Sequence, residues 1–351
     1  MPDVRSTSFT RRGLLAVGGA IGLGVALTAC GDDKGKSTGS APQGKTGASG
    51  KSGPWSFKDD RGTTVKLDAL PTRIAAFTGV AAALYDYGIK VDGVFGPTTA
   101  KDGKADVQAG DMDVSKLTVF GNKWGQFNVE KYAAFQPQVL ISTTYDSTGT
   151  LWYVPEESKD QITKLAPSVA VSAYDRQLPQ SLQRMWALAE SLGGDMKAAK
   201  VTAAKKRFED ASARLRAAAK ANPGIRVMAG SASDALFYVS GTNLSIDLEY
   251  FKALGVNFVE PPESAKKATG GWFESLSWEN VDKYKADVII MDDRTATIQP
   301  ADITKATWKK LPAVKAGQVI SRSPEPILSY DKCVAMVENL AKAIESAKKV
   351  A

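Results

Sequence analysis

The chain contains no histidine, and that one absence removes several kinds of chemistry. Ser-His-Asp and Cys-His nucleophile systems, histidine zinc sites and histidine-ligated haem all require an imidazole. Cysteine is nearly missing too: Cys30 and Cys333 are the only two, too few for a thiolate cluster. Cys333 shares a helical stripe with Val337, Leu340 and Ile344, the pattern of a core thiol rather than a reactive one. There is also no concentrated basic stripe. The formal net charge is +7, but residues 1–54 hold seven Lys/Arg against three Asp, so +4 lies there and only +3 in residues 55–351. No nucleic-acid partner is expected from that distribution.

What is present begins with an export pattern. Arg11 and Arg12 precede an uncharged, Gly- and Ala-rich run from Gly13 to Ala29, short for a membrane span and ending at small residues, as a cleaved signal does. The paired arginines suggest the route that exports folded proteins. "LTAC", Leu27 to Cys30, resembles the bacterial lipobox, which implies a lipid on Cys30 and an extracytoplasmic protein anchored to the cell membrane. Cys333 would then have no partner for an intrachain disulfide. Gly31 to Pro54 carries no apolar residue large enough to pack a core. It reads as a flexible tether that would span about 25–30 Å on average.

The folded part says one thing twice. "FNVEKYAAFQPQVLI", from Phe127, is echoed by "LSWENVDKYKADVII", from Leu276; at constant offset Glu130 falls on Glu279, Phe135 on Tyr284 and Ile141 on Ile290. Each copy reads as a short helix feeding a buried parallel strand. A β-hairpin around Asp60-Arg61-Gly62 opens the fold, and short apolar strands then alternate with helices up to Ala173. Residues 195–222 form a single helical pattern, with Ala204, Phe208, Ala211, Leu215 and Ala218 on one stripe, about 40 Å at 1.5 Å per residue. Afterwards the alternation restarts. The expected fold is α/β: two similar lobes, each a parallel-rich sheet flanked by helices, joined by one long bridging helix. The expected boundaries are a signal at 1–29, the tether at 30–54, a first lobe at 55–194, the bridge at 195–222 and a second lobe at 223–351.

The lipobox, the tether, "PTRIAAFTGVAAALYDYGI", "FNVEKYAAFQPQVLI", "LWYVPEE", "ITKLAPSVAV" and the bridging helix, in that order, resemble a ferric-siderophore-binding lipoprotein of an ABC importer. That is the helix-bridged class shared with cobalamin- and haem-binding relatives, and the likeness covers nearly all of the chain from Trp55. It implies a monomeric binder rather than an enzyme, with ligand held between the lobes and delivered to an ABC permease. Its iron arrives inside the siderophore, so no resident cofactor or protein metal ligand is expected. Glu130 and Glu279 resemble the two glutamates, one per lobe, that relatives use to dock on permease arginines.

Ligands in open α/β sheets bind beyond the carboxyl ends of the strands. In the first lobe that rule selects Thr78, Phe95, Trp124 and Tyr145, with Trp152, Tyr153, Tyr174 and Arg176 in the loops that follow. In the second it selects Phe237, Tyr238, Trp272, Phe273, Arg294 and Arg322. All except Thr78, Phe95, Tyr174 and Phe237 form the candidate ligand-binding set. Aromatic faces would cover the chelator's carbon skeleton, while Arg and Tyr donors would reach its metal-bound oxygens. Tyr145 stands where hydroxamate-binding relatives place a tyrosine, and Trp124 where some carry an arginine. With only three arginines selected, a ferric hydroxamate of low net charge, such as a ferrioxamine, is the expected ligand. Cobalamin or haem is the alternative within the class. A different class, an exported carboxylate enzyme, would need facing acids; the strand ends offer Asp234, Asp292 and Asp293 against Asp146 and Asp175.

Overall fold

The computed structural model describes residues 53–351. The expected signal, Arg11, Arg12, Cys30 and most of the tether lie outside the described residues. The described chain opens on the expected hairpin, β1 (Trp55–Lys58) and β2 (Thr64–Leu67), paired antiparallel. The first lobe then threads β3 (Ile74–Phe77), α1 (Thr78–Asp86), β4 (Gly93–Phe95), β5 (Thr118–Gly121), α2 (Val129–Phe135), β6 (Val139–Thr144), α3 (Lys159–Leu165), β7 (Ser168–Ser172) and α4 (Leu178–Ser191). Its sheet is parallel throughout, in the order β5-β4-β3-β6-β7. Central β6, "VLISTT", is buried at all six positions, as a strand covered on both faces must be.

α5 (Ala199–Ala221) is the bridge, and the five stripe residues named from the sequence are all buried. The second lobe contains β8 (Arg226–Ala232), β9 (Leu236–Ser240), α6 (Ile246–Ala253), β10 (Asn257–Phe258), α7 (Glu263–Lys266), β11 (Phe273–Ser277), β12 (Val288–Asp292), α8 (Ala306–Lys310), α9 (Pro312–Lys315), β13 (Val319–Arg322) and α10 (Tyr330–Ser346). Its sheet runs β11-β9-β8-β12-β13, with β10 beside the start of β8. β8, β10, β12 and β13 pair in parallel, whereas β9 runs antiparallel to both of its neighbours, β8 and β11.

Two expectations need correction. The second copy of the repeat does not begin with an α-helix. Trp278–Asn280 makes a single 3-10 turn before the chain reaches β12. Asn128 caps α2 by accepting from the Lys131 amide at 2.7 Å, ahead of two alanines, whereas the second copy offers Asn, Val and Asp, poor helix formers with no cap. Its chain is instead drawn onto β11, where Glu274 accepts from both Lys283 and Tyr284. The second correction concerns "LFYVS", which is a strand and not a loop at a strand end. Phe237 is therefore fully buried against Trp278 and Trp308.

The core does not divide cleanly between the lobes. One apolar cluster runs from β3 and β6 through α4, α5 and α10 to Val227, Val288 and Ile290 of the second sheet. α10 lies along α5, with Phe208 against Tyr330 and ion pairs Arg207–Asp331 and Arg214–Glu345. Cys333 is buried in that seam, and burial raises its thiol pKa.

Candidate functional site

Between the lobes lies a cavity of about 420 Å³, lined by Tyr145, Asp146 and Trp152 from the first lobe and by Trp272, Phe273, Asp292, Arg294, Arg322 and Glu325 among others from the second. It sits beyond the carboxyl ends of β6, β12 and β13, where an open parallel sheet presents its loops. A groove of about 470 Å³ between β13 and α10 is more open and carries no aromatic side chain. The interlobe cavity is therefore the candidate site, with a volume inside the usual range for small-molecule pockets.

Backbone geometry sets its aromatic wall. The Trp152 amide donates to the Thr143 carbonyl and the Ser142 hydroxyl donates to the Trp152 carbonyl, both at 2.9 Å, so the loop after β6 folds back over its own strand. The Trp152 ring lies 4.9 Å from Tyr145 and 4.7 Å from Trp124. Tyr153 holds φ at 60°, a left-handed conformation uncommon for a bulky residue and usually over-determined by packing. Here its ring stacks on Phe77 at 5.4 Å. Gly96, at φ 99°, ends β4 beneath the same pair, where an added Cβ would come within 2.7 Å of the Phe77 ring. Trp124 remains 61% exposed. Across the mouth, Tyr174 of the first lobe meets Trp272 of the second at 6.3 Å.

The polar side of the cavity is more tightly paired than the sequence suggested. Arg322 is 3% exposed, and its Nε and Nη2 donate to the two carboxylate oxygens of fully buried Asp247 at 2.7 and 2.9 Å. Arg294 donates through Nε and Nη2 to Asp292 at 3.0 and 2.6 Å, and through Nη1 to Glu325. Burial works against its charge, but hydrogen bonding to Asp292 and the charge of Glu325 prevail and raise its pKa. Glu325 also crosses the cleft: its Oε2 accepts from Gln108 Nε2 at 2.7 Å and from Trp152 Nε1 at 3.1 Å. Thr295 makes a parallel link to Asp106 at 2.6 Å. Burial, and then the charge of Glu325, push the Tyr153 phenol up to about 12 and the Tyr145 phenol higher still.

Six of the ten sequence-selected residues thus line one cavity: Tyr145, Trp152, Trp272, Phe273, Arg294 and Arg322. Trp124 and Tyr153 stand immediately behind Trp152. Tyr238 packs edge-on against Phe273, its hydroxyl 3.2 Å from Ser233. Arg176 points elsewhere: it pairs with Asp60 at 3.1 Å and borders a separate, polar depression with Asn243 and Glu249. Thr78 and Phe95 are buried, the Thr78 hydroxyl donating to the Phe95 carbonyl at 3.0 Å. Glu130 and Glu279 are both exposed.

Sequence reasoning missed Glu325, Asp247 and Gln108. Glu325 had a usable signal, an acid between two prolines just past β13 in "SPEP". Asp247 looks like any acid in a first helical turn, and nothing marks Gln108.

No curated protein sequence matches the chain. Among solved structures, that of DesE, a ferric-siderophore receptor protein from Streptomyces coelicolor, is 77% identical, with a TM-score of 0.84 over 85% of this chain and 100% of that one. A siderophore periplasmic binding protein from the fuscachelin gene cluster of Thermobifida fusca is 22% identical, with a TM-score of 0.55 over 78% and 96% of the two chains. SirA of Staphylococcus aureus, complexed with staphyloferrin B, is 17% identical, with a TM-score of 0.56 over 84% and 98%. The last two show a shared fold. The family model described as periplasmic binding protein matches residues 74–326, and this chain belongs to that family.

Proposed function

We propose that the chain is an extracytoplasmic receptor that captures a ferric siderophore in the interlobe cavity and hands it to an ABC permease, with a hydroxamate favoured. The observation that carries this reading is the composition of the cavity. Its wall is aromatic, and both of its guanidinium groups are already paired with carboxylates. Such a surface grips a bulky, part-polar shell of low charge without donating a metal ligand. The 77% identical structure is that of a ferric-siderophore receptor, which supports the same ligand class and a binding role rather than catalysis. The ten sequence-selected residues are proposed as the binding set, with Arg176 at its margin.

Delivery would use Glu130 and Glu279 as docking points, and a lipid on Cys30 would hold the protein at the membrane. No helix among the described residues is long and apolar enough to cross one. Cys30→Ala is expected to release the protein or leave it unprocessed, and unchanged membrane fractionation would count against the anchor.

Fluorescence titration tests the ligand. A ferric trihydroxamate should quench the tryptophans to saturation at one equivalent, and the iron-free chelator should bind far less well because ordering its flexible chain is unfavourable. If haem or cobalamin quenches and no ferric chelate does, the reading is wrong.

A further inference from the structure

Glu325 draws together three donors from both lobes, and it is 6% exposed. With Asp292 it sets two carboxylates against the single charge of Arg294. Counting the groups that line or directly underlie the cavity, Asp146, Asp247, Asp292 and Glu325 stand against Arg294 and Arg322, with no lysine among the lining residues. The local field is therefore negative, although the folded chain as a whole is basic. Three hydroxamates, each carrying one negative charge, neutralise a ferric ion, whereas three doubly charged catecholates leave the complex at −3. Such an anion would enter a low-dielectric cleft against an excess of carboxylate, where like charges repel strongly.

We infer that Glu325 is a specificity-determining residue that sets the charge of the accepted complex, admitting neutral or cationic ferric chelates and excluding anionic ones. This deepens the ferric-siderophore reading and rests on it. Asp292 already matches the charge of Arg294, so Glu325 acts by taking up the remaining Nη1 donor and adding a surplus negative charge, and the guanidinium at the cavity surface does not become an anion site. Glutamine at this position would still offer an oxygen to Gln108 and Trp152 while removing one negative charge from the cavity and leaving Asp292 as the single carboxylate partner of Arg294.

The test is a set of ratios. Wild type, Glu325→Gln and the double variant Glu325→Gln with Arg294→Gln are titrated with a ferric trihydroxamate, a trihydroxamate bearing a terminal ammonium, and a ferric tris-catecholate. Wild type should favour the ammonium-bearing complex over the neutral one and the neutral one over the tris-catecholate. In Glu325→Gln the ratio of tris-catecholate to neutral dissociation constants should fall at least tenfold, and in the double variant it should return towards wild type. A purely structural role would weaken all three ligands together and leave the ratio where it was, which overturns the inference. Should Glu325→Gln melt early, Asp292→Asn is used in its place and must move the ratio the same way. If wild type binds no ferric chelate at all, the ferric-siderophore reading itself is refuted; if it binds them with the tris-catecholate preferred, only the Glu325 inference falls.

Discussion

Arg322 and Asp247 face each other in a closed, two-pronged pair, with both partners almost completely withdrawn from water. A buried pair of this kind adds little net stability, but removing one member strands the other charge. Arg322→Ala is therefore expected to destabilise the fold by about 3–5 kcal/mol, measured by urea or thermal unfolding. Replacing both residues with apolar ones of similar volume should recover most of that. If Arg322→Ala unfolds like wild type and only loses ligand, the residue is a direct ligand contact instead.

Tyr145 presents a half-buried ring to the cavity, backed by Trp152. Tyr145→Ala should weaken the ferric trihydroxamate by about 1–3 kcal/mol, roughly ten- to a hundredfold, as loss of a central aromatic anchor does. Trp124, far more exposed, should contribute less. Isothermal titration of both variants ranks them, and a larger loss at Trp124 would move the centre of the site outward to the rim.

Asp293 gives the cavity's second lobe a pH dependence. Burial, and then the neighbouring charge of Asp292, raise its pKa from 3.8 to about 6. Because the folded state holds this proton more tightly than the unfolded chain does, the stability it contributes is complete below 3.8 and is lost as pH rises through about 6. Wild type should lose about 1 kcal/mol more than Asp293→Asn between pH 4.5 and 7.5, after allowance for the group's partial exposure. Equal losses in the two proteins by chemical denaturation would remove Asp293 as the source.

Glu130 and Glu279 sit on separate surface turns, outside the cavity. Charge reversal at either, Glu130→Arg or Glu279→Arg, should leave ferric-chelate affinity within about twofold and abolish uptake by cells, since docking charges act between proteins. Loss of ligand affinity in step with uptake would sink the docking assignment.

Much of this molecule was legible from one dimension. Periodicity over a long segment is a local property, so the buried stripe of α5 and the strand–helix alternation of the first lobe could be read directly. The strand-end rule located Tyr145 and Trp152 for a similar reason, since a parallel strand must finish at the sheet edge where loops gather, whereas Trp272 and Phe273 reach the cavity from the start of β11.

Pairings between distant segments decided the rest. The second copy of the repeat has the spacing of the first but lacks its cap and its alanines, and Glu274 on the preceding strand captures it instead of a helix. Arg294 and Arg322 were visible as charges at strand ends, yet whether those charges are available to a ligand depends on Glu325 and Asp247, the latter 75 positions away. A sequence shows that a charge is present. Only the folded chain, by placing a carboxylate within 3 Å of it and removing the water between them, determines how much of that charge the cavity feels.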